Sequence, residues 1–133
     1  MKLLLDTHIW LWSRLAPARL GKRLGRFLEE GTHELWLSPL SLWEVQLLSA
    51  KGRVSLVPTA EEWIALALSN VPMKEASLTF QIAQATREVR LSHRDPVDQL
   101  LAATARVYDL TLVTGNEEHF RRVPNLRRQN WIR

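Results

Sequence analysis

The sequence has no cysteine. That absence excludes a disulfide framework, a thiolate zinc site and a cysteine nucleophile, and it fits a reducing compartment. Long apolar runs are missing too, since nothing approaches the roughly 18 consecutive apolar residues of a membrane span. The N-terminal stretch MKLLLDTHIWLWSRLAPA has the outline of a secretory signal, with Lys2, an apolar segment and Ala16-Pro17-Ala18. Asp6, His8 and Arg14 nevertheless interrupt the segment where a signal core stays apolar. A soluble, cytoplasmic protein with no membrane partner is expected. Internal repeats and low-complexity tracts are absent, which removes solenoids and disorder from consideration. Acids are outnumbered, 14 Asp and Glu against 18 Lys and Arg, and the net charge of +4 favours an anionic partner, nucleic acid first among them.

What is present is an ordinary globular composition, 46% hydrophobic over 133 residues, enough for one domain spanning 1–133 with a core of its own. Leu3 to Leu5 is an apolar run ended by Asp6, as in a strand buried on both faces. Helical character follows over 7–15. Over 18–30, Leu20, Leu24, Phe27 and Leu28 share one face and Arg19, Lys22, Arg23 and Arg26 another, which predicts one amphipathic helix ended by Gly31. Residues 34–37 read as a second strand, and Ser38-Pro39 signals a helix closed by Gly52. Thr59-Ala-Glu-Glu62 is a capping-box pattern opening a helix to about Leu68. Residues 72–77 form a connection with room for a short third strand, and 79–89 are helical by pattern. Asp95-Pro96 opens a strong helix to about Tyr108, and 110–114 are β-favouring. The tail holds a short helix and an edge strand around Trp131. Strands alternating with helices predict an α/β fold: a mostly parallel sheet of four to five strands with helices on both faces.

The acids fall at the junctions that matter in such a sheet, beyond the carboxyl ends of the strands, where helix N-termini also point. Asp6 ends the first strand. Glu44 lies early in the helix after the second. Asp95 and Asp98 open the long helix, and Asn116 follows the last main strand. Clustered carboxylates repel one another unless a hard cation such as Mg²⁺ or Mn²⁺ sits between them. Such ions lower the pKa of bound water and stabilise charge on phosphate oxygens, so the chemistry that follows is phosphodiester hydrolysis.

Each acid also has a purely structural explanation. Asp6 can cap the helix starting at Thr7, Ser41-Leu-Trp-Glu44 matches a capping box, and Asp95 is a natural N-cap with Pro96 behind it. Asp98 at the third helical position is favoured by the helix dipole. Capping suffices for any one of them and does not explain why so many converge on one sheet edge.

The segments LLLDTHIWLW, SPLSLWEV, HRDPVDQLLAATA and LTLVTGNEEHFRRVPNLRRQNW, in this order and at these spacings, resemble the PIN-domain ribonucleases, specifically the VapC-type toxins of toxin–antitoxin pairs. The resemblance implies a PIN-like fold and an endoribonuclease. It makes Asp6 and Asp98 metal ligands and Glu44 a further acid of the site, holding metal directly or through water. Asn116 stands where many relatives have a fourth aspartate. An amide oxygen ligates hard cations but adds no charge, so one or two ions fit equally. Gln99 replaces the arginine that often follows the second aspartate of DPxD. Homodimers are also implied, and a cognate VapB-type antitoxin that builds a heterotetramer or larger assembly by laying an amphipathic segment near the site. The substrate implied is RNA, structured RNA of the translation machinery being the expectation.

Supporting roles are open to Thr7 and Thr114, whose hydroxyls can orient a carboxylate or water, although capping and strand composition account for both. His8 stands next to the site in sequence, yet packing or hydrogen bonding is the simpler role for it, as for His93 and His119. For RNA, Arg19, Lys22, Arg23 and Arg26 form one basic face, and Arg121, Arg122, Arg127, Arg128 and Arg133 form a tail with no acid from 119 onward. The six tryptophans, at 10, 12, 36, 43, 63 and 131, can stack on unpaired bases, but their apolar neighbours make core or interface packing the default.

Two other readings compete with this one. A phosphoacceptor receiver domain needs an acid pair after the first strand and a late lysine, whereas Asp6 is single and no lysine follows Lys74. A PIN-like module that binds RNA or protein with weak or no turnover fits Asn116, since loss of one acid is how such a site decays. Retention of Asp6, Glu44 and Asp98 favours the enzyme.

Overall fold

In a computed structural model, which describes residues 1–89, 95–121, 123 and 126–129 (128 and 129 as backbone), the chain folds around one parallel sheet. Strand β1 (Lys2–Leu5) is central, and the order is β3-β2-β1-β4-β5, with β2 Glu34–Leu37, β3 Lys74–Glu75, β4 Thr111–Val113 and β5 Arg128–Gln129. Every pairing is parallel. Leu3 pairs with Leu35 and Leu4 with Trp36 on one side, and Leu4 with Leu112 and Leu5 with Val113 on the other.

A strand buried on both faces needs apolar side chains at every position, because successive residues point to opposite sides. Leu3 and Leu5 enter one core with Ile9 and Trp10 of α1 (Thr7–Leu15), Leu24 and Phe27 of α2 (Gly21–Glu29), Val45 of α3 (Pro39–Ala50), and Ile64 and Ala67 of α4 (Ala60–Asn70). Leu4 enters the other, with Ile82 of α5 (Phe80–Ala85) and Leu101, Ala102 and Ala105 of α6 (Pro96–Tyr108). The α/β architecture with helices on both faces is as expected.

The single helix expected over 18–30 is instead two pieces, a 3₁₀ turn at Pro17–Leu20 and then α2. Gly21 between them has φ 77° and ψ 163°, which no helix interior adopts. Arg19 therefore leaves the face that Lys22, Arg23 and Arg26 share. The helix expected over 79–89 likewise closes at Ala85 and continues as a 3₁₀ turn, Thr86–Glu88. The edge strand expected around Trp131 is β5; Trp131 itself lies outside the described residues.

Caps follow the sequence signals closely. Thr59 accepts from Glu62 N at 3.1 Å, and Ser38 accepts from Leu40 N at 3.1 Å. Asp95 accepts from Val97 N at 3.0 Å and Asp98 N at 3.5 Å. Gln99 donates to Thr86 O at 3.1 Å, tying α6 to the preceding turn, which is the use found for the residue in place of arginine. Asp95→Ala is expected to destabilise the fold by about 1 kcal/mol, the usual worth of such a cap, measured by urea denaturation.

Candidate functional site

The chain leaves β1 outward to β2 and β3, then returns to lay β4 against the other side of β1. Strand order thus reverses between β1 and β4, and the loops beyond their carboxyl ends diverge and leave a crevice. Asp6 and Thr7 follow β1 there, and Thr114, Gly115 and Asn116 follow β4. A backbone bond from Asp6 N to Val113 O, 3.0 Å, closes the base of the crevice.

Asp6 sits at the N-cap position of α1 but makes no side-chain capping bond. Its Oδ2 instead accepts from the Thr114 hydroxyl at 2.8 Å. The carboxyl is buried and its pKa is pushed up to about 6, chiefly by that burial, with a further upward push from the charge of Asp98. The Thr114 hydroxyl, the positive character of His8 and the Thr7 backbone pull the other way. Thr114 also accepts from Asn116 N at 3.0 Å, so one hydroxyl links the ends of both strands.

Glu44 does not close a capping box. Ser38 is the cap, and Ser41 lies inside α3 with its hydroxyl 2.9 Å from Thr7 Oγ1. Thr7 Oγ1 also hydrogen-bonds Glu44 Oε1. One hydroxyl carries one hydrogen, so with Glu44 ionised the Thr7 hydrogen points at the carboxylate and Ser41 donates to Thr7. Partial burial raises the Glu44 pKa, the Thr7 bond opposes that, and the negative charges of Asp95 and Asp98 add to it.

Asp98, buried in the first turn of α6, receives His119 Nδ1 on Oδ2 at 3.0 Å. Sequence alone predicts packing or hydrogen bonding for His119 and does not reveal its place beside Asp98, because the pair is separated by 21 residues and no local pattern announces it. Thr7 and Thr114 also depart from the capping and strand roles expected of them, since both are buried and aimed at carboxylates.

Asp6, Glu44 and Asp98 therefore come to one edge, where Asp6 and Glu44 each feel the charge of Asp98. Among the described residues, no three His, Asp or Glu side chains are close enough to hold a metal ion jointly. The arrangement has a physical cause: each carboxylate is held by its own partner, Thr114, Thr7 or His119, and like charges keep their distance. Hard oxygen donors, two of them buried and mutually repelling, are the donor chemistry whose repulsion a Mg²⁺ or Mn²⁺ ion relieves; the residue types fit such an ion, while the described side chains do not form a joint cluster around one point. Asn116 is exposed and reaches the same crevice.

The basic surfaces are less uniform than expected. Lys22, Arg23 and Arg26 are exposed on α2. Arg19 is also exposed, its guanidinium 4.4 Å from the centre of the Trp12 ring. In the tail, acids from outside the segment neutralise two arginines: Arg121 pairs with Glu118 at 2.6 Å, and Arg127 pairs with the Asp109 carboxylate while also donating to Asp109 O at 2.8 Å. Arg122, Arg133, His93 and the Arg128 side chain lie outside the described residues.

The sequence pattern of the PIN domain matches residues 3–126. The chain belongs to the PIN-domain family. As a PIN domain it resembles, in fold, the chain in a structure of VapBC2 from Rickettsia felis bound to a promoter DNA fragment (TM-score 0.74, 22% identity, covering 98% of this chain and 99% of that one). It is similar to one in DNA-bound VapBC from Salmonella typhimurium (0.72, 24%, 98% of each chain) and to one in VapBC-1 from nontypeable Haemophilus influenzae (0.67, 20%, 100% of each). No curated protein sequence matches it. Among the described residues, no helix is long and apolar enough to cross a membrane.

Proposed function

We propose that this PIN domain is a metal-dependent endoribonuclease, the VapC-type toxin of a toxin–antitoxin pair acting in the cytoplasm. The observation that carries the reading is the gathering of Asp6, Glu44 and Asp98 from three separate segments at one sheet edge, two of them held by buried hydroxyls and the third by an imidazole. PIN domains are generally nucleases, and similar folds occur in VapBC complexes, which supports the toxin reading and a VapB-type partner. Exposed Trp43 and Leu47 on α3 and Leu66 on α4 offer apolar surface for the antitoxin or for a second copy of the chain in a homodimer.

Asp6, Asp98 and Glu44 would hold one or two Mg²⁺ or Mn²⁺ ions, with Asn116 as a weaker ligand. When bound, such an ion supplies a nucleophilic water near neutral pH and charge neutralisation on the phosphate. The protein's own part is orientation. Thr114 fixes the Asp6 carboxylate and Thr7 that of Glu44. The N-terminus of α6, whose dipole favours negative charge, faces the same edge beneath Asp98. Lys22, Arg23 and Arg26 attract the RNA backbone, and binding weakens as salt rises.

The test is cleavage of total cellular RNA by antitoxin-free protein with Mg²⁺ or Mn²⁺, with chelator, and by Asp98→Asn. Discrete fragments that require both the metal and Asp98 are expected. Fragments that persist in chelator or in the variant would overturn the reading, and metal-independent RNA binding without fragments would favour the binding module.

A further inference from the structure

At the crevice between β1 and β4 lies a cavity of about 260 Å³, lined by Asp6, His8, Ile9, Trp12, Gly115 and Asn116. The chemistry assigned above uses Asp6 and gives Asn116 a minor part; the remaining wall has no assigned role. That wall is aromatic and polar. Trp12 is partly packed against the core, so its ring is fixed in place, and the His8 ring stands 5.7 Å from it at a 59° tilt. The exposed Arg19 guanidinium, outside the cavity lining, lies over a face of the Trp12 ring, 4.4 Å from its centre. On the opposite strand end, Gly115 adds no side chain, and the exposed Asn116 amide offers one acceptor and one donor group.

We propose that this cavity is a nucleobase subsite, which takes one unpaired base of the RNA beside the phosphate that faces Asp6. The base stacks on Trp12 in place of the Arg19 guanidinium, which swings out to the sugar–phosphate of the same nucleotide, and the base edge is read by Asn116. Drug-sized pockets start at about 300 Å³, so a slightly smaller one suits a single planar base. Aromatic stacking tolerates any base, while a side-chain amide discriminates between base edges, so the two walls divide affinity from selectivity. A cationic side chain from a partner protein would meet Arg19, and an apolar one would strip water from the Asn116 amide, so a base fits better than a peptide. The inference rests on the ribonuclease reading of the neighbouring acids.

The experiment uses the full chain in the Asp98→Asn background with Mg²⁺, titrated into an unpaired RNA octamer with 2-aminopurine placed at each position in turn. Quenching confined to one position is expected. Trp12→Leu should abolish that quenching and weaken binding about tenfold, whereas Phe80→Ser, an exposed aromatic outside the cavity, should match its parent. Asn116→Ala, at an exposed position that does not endanger folding, completes the set. Asn116→Ala should flatten binding preference among adenine, cytosine, guanine and uracil. Equal quenching in folded Trp12→Leu overturns the subsite. If Trp12→Leu does not fold, an unchanged base preference in Asn116→Ala overturns it. A parallel arm sequences the ends produced by Asp98-containing protein on a randomised unpaired RNA. Base-selective binding with no cleavage upholds the pocket and removes the ribonuclease reading; metal-dependent cleavage with no base preference does the reverse.

Discussion

Asp6→Asn is expected to abolish metal-dependent RNA cleavage while raising the melting temperature of the metal-free protein at about pH 7.5. Activity falls because a carboxylate of the proposed metal site is lost, which should cost more than the roughly 10- to 100-fold typical of residues that merely orient ligands. Stability rises for an electrostatic reason. Burial pushes the Asp6 pKa up from 3.8 to about 6, so the folded protein holds this proton more tightly than the unfolded chain does. The stability Asp6 contributes in its protonated form is fully present below its unfolded value and is lost as pH rises through about 6. At about pH 7.5 the group is ionised in both states and weighs against folding by at most about 3 kcal/mol, at 1.36 kcal/mol per pKa unit. An asparagine oxygen still accepts the Thr114 hydroxyl and carries no charge to desolvate. Several degrees of stabilisation follow, and the stabilising effect of lowering the pH from about 7 to 4 should shrink in the variant. Differential scanning calorimetry in chelator across that range checks it. If Asp6 were a helix cap, Asp6→Asn would be thermally silent, because asparagine caps as well as aspartate.

The parts of this architecture that show in the sequence are those governed by local chemistry. Asp95-Pro96, Ser38-Pro39 and Thr59 each announce a helix start because a cap bond spans only two or three residues. The apolar run Leu3 to Leu5 announces a doubly buried strand because both neighbouring layers demand it. The failures share a different cause. A positive φ at Gly21 breaks a helix whose amphipathic pattern runs on regardless, and the pattern alone cannot report a dihedral angle. Ser41-Leu-Trp-Glu44 imitates a capping box, but the true cap stands three residues earlier at Ser38, so Ser41 and Glu44 are spent on contacts to Thr7. Asp6 and Asp98 were legible because they sit at a strand end and in the first turn of a helix; Glu44, in the middle of α3, was legible only through the family resemblance and its capping-box spacing. Their partners were not: Thr114 meets Asp6 across 108 residues and Thr7 meets Glu44 across 37, distances that only the parallel sheet closes. Arg121 and Arg127 looked like a free basic tail for the same reason, since Glu118 and Asp109 lie outside the acid-free segment.

Thr7→Val should therefore damage both fold and function in a way that Thr7→Ser does not. Valine keeps the β-branched shape in a fully buried position, so the change falls mainly on the hydroxyl. Two groups lose their partner at once. Ser41, also fully buried, keeps a hydroxyl with no Thr7 oxygen to receive it, a penalty of about 1–3 kcal/mol. Glu44 loses the bond that opposes its desolvation, so its pKa moves further up and its carboxylate loses the contact that fixes its position. Residues that orient a ligand typically control activity by about 10- to 100-fold, and a fall in kcat/KM of that size is expected, with metal affinity falling alongside it. Serine retains the oxygen at the same place and should restore most of both. Urea denaturation, metal titration and single-turnover cleavage on the three proteins separate the contributions. A purely structural Thr7 would show the stability loss with unchanged cleavage per folded molecule, and that outcome would detach Glu44 from the chemistry.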